Sequence, residues 1–78
     1  MCMENFLTKE QLLKKFGLNV KFARMRKGIT QEQFAELIGI SVSYLARIET
    51  GKINMSLGKI LLIAQKLDVD INKLLYIE

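Results

Sequence analysis

Between Thr30 and Gly51 the sequence TQEQFAELIGISVSYLARIETG has room for two short amphipathic helices and almost no connector. Thr30 can cap the first, whose apolar positions Phe34, Ala35 and Ile38 follow helical spacing and stop at Gly39. Ser41 can cap the second, with Leu45 and Ile48 on its inner face and Gly51 at its end. A turn of three or four residues makes two such helices cross steeply. Gly39 suits that turn, because without a Cβ a positive φ costs little. Ala35 is small where the second helix must cross closely.

The flanking sequence supplies further helices. Thr8 and Gln11 have the spacing of a capping box. Leu12, Leu13, Phe16, Val20 and Ala23 then give a first helix its inner face. Gly17 weakens that helix locally, and Gly28 ends it after Arg26 and Lys27. Ser56 caps a fourth helix, with Leu57, Ile60, Leu61, Ala64 and Leu67 facing inward. Asp70 starts a short fifth carrying Ile71, Leu74 and Leu75. The prediction is an all-α chain, five short helices and no sheet, in one domain over residues 1–78, with 1–7 an N-terminal extension.

Half of the residues are hydrophobic, so some apolar side chains are expected on the surface or in an interface. Twelve Lys and Arg against eight Asp and Glu leave a net charge of +4, which suits an anionic partner. Seven of the twelve cations fall between Lys9 and Lys27. With Cys2 the only cysteine, no internal disulfide forms and the chain reads as cytoplasmic. No apolar run approaches the roughly 20 residues of a membrane span. MCMENFLTKEQ lacks the basic and apolar regions of a secretory signal. Without histidine, an evident carboxylate pair or a glycine-rich phosphate loop, the chain is not expected to be an enzyme. The four methionines show no metal-binding pattern, Met55 is expected to serve packing, and no cofactor is expected.

Two helices crossing at a short turn form the motif in which one lies across the DNA backbone and the next enters the major groove. Residues 31–50 fit it. The outer face of the second helix is then Ser41, Val42, Ser43 and Tyr44, with Arg47 one turn on. Small side chains let a helix sit deep in a groove of roughly 12 Å. Arg47 can donate two hydrogen bonds to guanine O6 and N7. Val42 can meet a thymine methyl, and the Tyr44 hydroxyl can reach a phosphate. Gln31, at a helix start, lies beside N–H groups that suit a phosphate. Arg47 as a solvated charge and Gln31 as an ordinary first-turn residue are the plainer alternatives.

The segments FGLNVKFARMRKGITQEQFAELIG, SVSYLARIETGK and SLGKILLIAQKLDVDINKLL resemble the phage-repressor-like, or xenobiotic-response-element, helix-turn-helix family. The likeness runs from Phe16 to Leu75 without apparent gaps. It implies a compact five-helix lambda-repressor-like domain that binds operator DNA, usually as a dimer, and regulates transcription. It also implies base contacts by Ser41, Val42, Ser43 and Arg47, and backbone contacts by Gln31, Thr50 and Lys52. Arg24 and Glu49 stand at positions that pair in some members, and the pair is expected to be structural. Phe22, Met25 and Leu62 depart from the family pattern, being apolar where a polar residue is usual. Val42 stands where an amide or arginine is frequent.

The resulting expectation is a sequence-specific regulator of transcription that binds double-stranded DNA as a homodimer on an inverted repeat. The dimer interface is expected on the last two helices, at Leu62, Tyr76 and Ile77, with Phe22 and Met25 covered by Phe6 and Leu7. The alternative is a protein-interaction module of antitoxin type whose main partner is another protein.

Overall fold

The computed structural model describes residues 7–76. These form five helices and no strand: α1 (Lys9–Lys27), α2 (Gln31–Ile38), α3 (Val42–Glu49), α4 (Leu57–Leu67) and α5 (Ile71–Leu75). Each start is fixed by a side chain that satisfies an otherwise orphaned amide. Thr8 Oγ1 accepts from Gln11 N and Gln11 Oε1 accepts from Thr8 N, both at 3.0 Å. Thr30 and Gln33 repeat this box at α2. Ser41, Ser56 and Asp70 cap α3, α4 and α5.

The ends are equally local in origin. Gly39, at φ 77°, turns the chain between α2 and α3 in a left-handed conformation that a Cβ would disfavour. The stop of α4 falls instead on Asp68, at φ 58°, a residue type that tolerates this region. The Asp68 carboxylate accepts from Lys27 Nζ at 2.9 Å, an exposed pair that contributes little.

The core gathers Phe16, Val20 and Ala23 of α1, Phe34 and Ala35 of α2, Leu45 and Ile48 of α3, and Leu74 of α5 around α4. Helix α1 packs against α3, α4 and α5, while α2 packs on α3 and α4. In α4 the inner face is Ile60, Ile63, Ala64 and Leu67. Leu57 and Leu61, expected inside, are 75% and 46% exposed. Two stripes share Ile60 and Ala64. The one through Leu57 and Leu61 runs on to polar Asp68, whereas the one through Ile63 stays apolar to Leu67. The second therefore faces the core. Leu12 is likewise exposed, near the open start of α1.

Two polar or small residues of α1 explain how it docks. Gly17 is buried where α1 crosses α3: a Cβ there would lie 2.4 Å from the Ile48 carbonyl oxygen. The local weakness that this glycine brings to α1 is thus the cost of close approach. Asn19 Nδ2 donates to the carbonyls of Leu74 and Tyr76, at 2.8 and 3.0 Å, tying the end of α5 to α1. Nothing in the local sequence pattern marks Asn19 for this role.

Candidate nucleic-acid interface

Helix α3 is anchored by Leu45, Ile48 and Glu49, all buried. The opposite face carries Ser43, Arg47 and Thr50, exposed at i, i+4 and i+7. Val42 flanks this face, also exposed. Ser41 sits exposed at the helix start, where its Oγ accepts from Tyr44 N at 3.0 Å and its hydroxyl proton is left to donate. Tyr44 is only half-exposed, and its ring borders a narrow void of about 20 Å³ with Ile38, Ile40 and Met55. It lies at the edge of the outer face, not on its crest. Thr50 Oγ1 donates to the Ala46 carbonyl at 2.8 Å. Lys52 N–H donates to the Arg47 carbonyl at 2.8 Å, closing the end of α3 while the side chain stays exposed.

Beneath this face lies a buried polar cluster. Arg24 Nε donates to Glu49 Oε2 at 2.7 Å, and Arg24 Nη2 donates to Glu49 Oε1 at 3.2 Å. Arg24 Nη1 donates to the Ile29 carbonyl at 2.9 Å, in the turn before α2. Gln31 Nε2 donates to Glu49 Oε1 at 2.9 Å. The side chains of Arg24 and Glu49 are 9% and 2% exposed. Two charges so far from water are tolerable only when paired and hydrogen-bonded, as they are here. Among the described residues no buried side-chain nitrogen or oxygen lacks a partner. The cluster ties α1, the start of α2 and the end of α3, and so sets the crossing that aims the outer face of α3. It also neutralises Glu49, the acid nearest that face in sequence.

An open groove of about 350 Å³ runs beside the face, between Lys14, Leu18 and Lys21 of α1 and Ala46 and Thr50 of α3, with Gln31 at its border. In the sequence these lysines belong to a basic helix and carry no separate mark. Their seven-residue spacing, with Leu18 between, is the one available signal.

Among the residues expected in an interface, Leu62 is half-buried on α4 and Tyr76 is 63% exposed. Ile77 lies outside the described residues, as does Phe6. Leu7 does not cover Phe22 and Met25: it precedes the start of α1, about 22 and about 27 Å along the axis from them at 1.5 Å per residue. Phe22 and Met25 are exposed and continue a stripe that begins at Leu18. No described group of acidic or cysteine side chains could hold a metal ion, and no described helix is long and apolar enough to cross a membrane.

Two helices locked across a glycine turn, the second with an anchored inner face and a polar outer one, define a helix-turn-helix protein. The chain belongs to the helix-turn-helix family, whose pattern matches residues 20–74. Its fold is similar to that of the restriction-modification controller protein C.AhdI from Aeromonas hydrophila, with 40% identity and a TM-score of 0.74 over 80% of this chain and 94% of that one. It is also similar to a hypothetical transcription factor, NHTF, from Neisseria, with 25% identity and a TM-score of 0.79 over 97% and 87% of the two chains. In sequence it is 36% identical over 58 residues, 74% of this chain, to the propionyl-CoA carboxylase regulator of Cereibacter sphaeroides. It spans only 13% of that regulator's length.

Proposed function

We propose that this protein is a sequence-specific transcriptional regulator that binds an inverted-repeat operator as a homodimer, with α3 in the major groove. The observation that carries the reading is the exposed set Ser43, Arg47 and Thr50 on a helix whose other side is fixed in the core. In this reading Ser41, Val42, Ser43 and Arg47 contact bases. Gln31, Tyr44, Thr50 and Lys52 contact phosphates, and the free first-turn N–H groups of α2 assist them. Arg24 and Glu49 hold the frame and touch no base. Similarity to a restriction-modification controller supports a regulatory role over a wholly structural one. The protein acts by binding, in the cytoplasm, and not by catalysis.

One recognition helix reads too few base pairs to single out a genomic site. A two-fold dimer doubles the readout and sets half-sites roughly one helical turn, about 34 Å, apart. We place the interface on α4 and α5, at Leu62 and Tyr76 with Ile77 beyond. Exposed Leu57 and Leu61 add apolar area to the same helix. A second reading, a module that also binds another protein, is favoured by the exposed stripe Leu18, Phe22 and Met25 on the side of α1 away from the core.

Selection of bound duplexes from a random pool, using the purified chain alone, tests the first reading. An enriched inverted repeat is expected. A single non-repeated site would remove the dimer, and absence of any enrichment would leave the protein-binding reading in its place.

A further inference from the structure

The groove beside the outer face of α3 brings two lysines to it that the helix-turn-helix motif does not include. Lys14 and Lys21 stand seven residues apart on α1, about 10 Å along its axis, on one side of the helix. Both are exposed, and both line the groove whose other wall is Ala46 and Thr50. Helix α1 lies directly against the end of α3 here: a Cβ on Gly51 would sit 2.8 Å from Lys14 Cα. The stem of Lys14 therefore starts at the end of the recognition helix.

The electrostatics of the groove are one-sided. Neither lysine has an ion-pair or hydrogen-bond partner among the described residues, where Arg24–Glu49 and Lys27–Asp68 account for the ion pairs. The acid in the groove lining is Glu49, whose carboxylate is 2% exposed and already accepts from Arg24 and Gln31. Two unpaired ammonium groups thus flank a groove with no exposed acid in its lining. Leu18, between them in sequence, adds an exposed apolar side chain to the groove lining, which suits contact with deoxyribose.

We propose that this groove takes the sugar–phosphate backbone of the DNA strand beside the recognition helix, with Lys14 and Lys21 each holding a phosphate. A DNA strand carries one charge per about 3.4 Å of axis, so lysines rooted about 10 Å apart along α1 engage separate phosphates. The lysines read no base. They fix the register of α3 in the groove and add affinity that salt removes. This assignment rests on the DNA-binding reading above.

The test compares wild type with Lys14→Gln, Lys21→Gln and, as a control of equal charge change on α4, Lys66→Gln. Binding to the selected operator and to a scrambled duplex is measured by fluorescence anisotropy from 50 to 200 mM salt. Removing one lysine–phosphate interaction lowers the slope of log affinity against log salt by about 0.9 per bound protomer. Over that fourfold range each groove variant loses less affinity than wild type does, by about 3.5-fold for one bound protomer and about 12-fold for a bound dimer. The change is expected on both duplexes, with the operator-to-scrambled ratio kept and with unchanged thermal melting. Lys66→Gln is expected to keep the wild-type slope. Wild-type slopes in both groove variants, or an equal drop in Lys66→Gln, would overturn the assignment while a wild-type operator preference left the DNA reading standing. A wild-type chain that binds neither duplex would overturn both.

Discussion

Removing the Glu49 carboxylate should do as much damage as any single change to a charged residue among those described. Its side chain is 2% exposed and accepts from Arg24 at 2.7 and 3.2 Å and from Gln31 at 2.9 Å. In Glu49→Met the Arg24 guanidinium keeps one acceptor, the Ile29 carbonyl, and is otherwise stranded in the core. Breaking a buried pair from one side costs about 3–5 kcal/mol. The orphaned Gln31 amide, only half-buried, adds less than about 1 kcal/mol because water can reach it. A domain of this size has a total stability of about 4–12 kcal/mol, so the variant is close to unfolding. Arg24→Met should cost a similar amount, because it strands the carboxylate instead. The double variant removes both charges and fills their space with apolar atoms, which is often near neutral. The coupling between the two sites should therefore be at least about 2 kcal/mol. Urea denaturation of the wild type, both single variants and the double variant measures it. Additive losses, or single variants that cost under about 1 kcal/mol, would show that the pair does not bear on folding and that the reasoning from burial is wrong.

The other expectations concern the site, the helix crossing and the assembly. Arg47→Ala should weaken binding to the selected operator by about 1–3 kcal/mol and relax preference at one base-pair position, which repeating the duplex selection would reveal. An equal loss on every sequence would make Arg47 a phosphate contact. Gly17→Ala should destabilise by about 1–3 kcal/mol, since its Cβ would lie 2.4 Å from the Ile48 carbonyl and backbone cannot yield as a side chain does. A stabilised variant in thermal melts would mean that the helix-propensity gain of about 1 kcal/mol wins. Leu61→Glu with Tyr76→Glu should leave a folded chain, both positions being exposed, and shift sedimentation at micromolar concentration from dimer to monomer. An unaffected dimer would move the interface elsewhere.

Helix starts and stops are legible in the sequence because they depend on neighbours in the chain. A hydroxyl three residues before its amide partner, as at Thr8 and Thr30, carries its own geometry. The rotation of α4 is not legible. Its apolar residues are dense enough to offer two stripes, and only the position of α1, α2 and α5 selects Ile63 over Leu61. The roles of Gly17 and Asn19 are hidden for the same reason. Each answers to a partner far along the chain: the carbonyl of Ile48 in one case, those of Leu74 and Tyr76 in the other. The site divides in the same manner. The outer face of α3 follows from period and composition, while the placing of Lys14 and Lys21 beside it follows from a crossing angle that local pattern does not encode.

That crossing angle explains why so small a core retains a buried ion pair. Apolar contacts between α2 and α3 tolerate sliding and rotation, because burial energy has no direction. Hydrogen bonds to one carboxylate from Arg24 and Gln31 do not tolerate it, since each fails outside a narrow range of distance and angle. Arg24 in turn reaches the Ile29 carbonyl, so the turn leading into α2 is fixed by the same group. In the proposed complex, reading a base with Arg47 requires its donors to arrive within a few tenths of an ångström of two acceptors while the backbone contacts are also made. A cluster that joins three helices at the root of α3 supplies that precision where packing alone would leave α3 free to tilt.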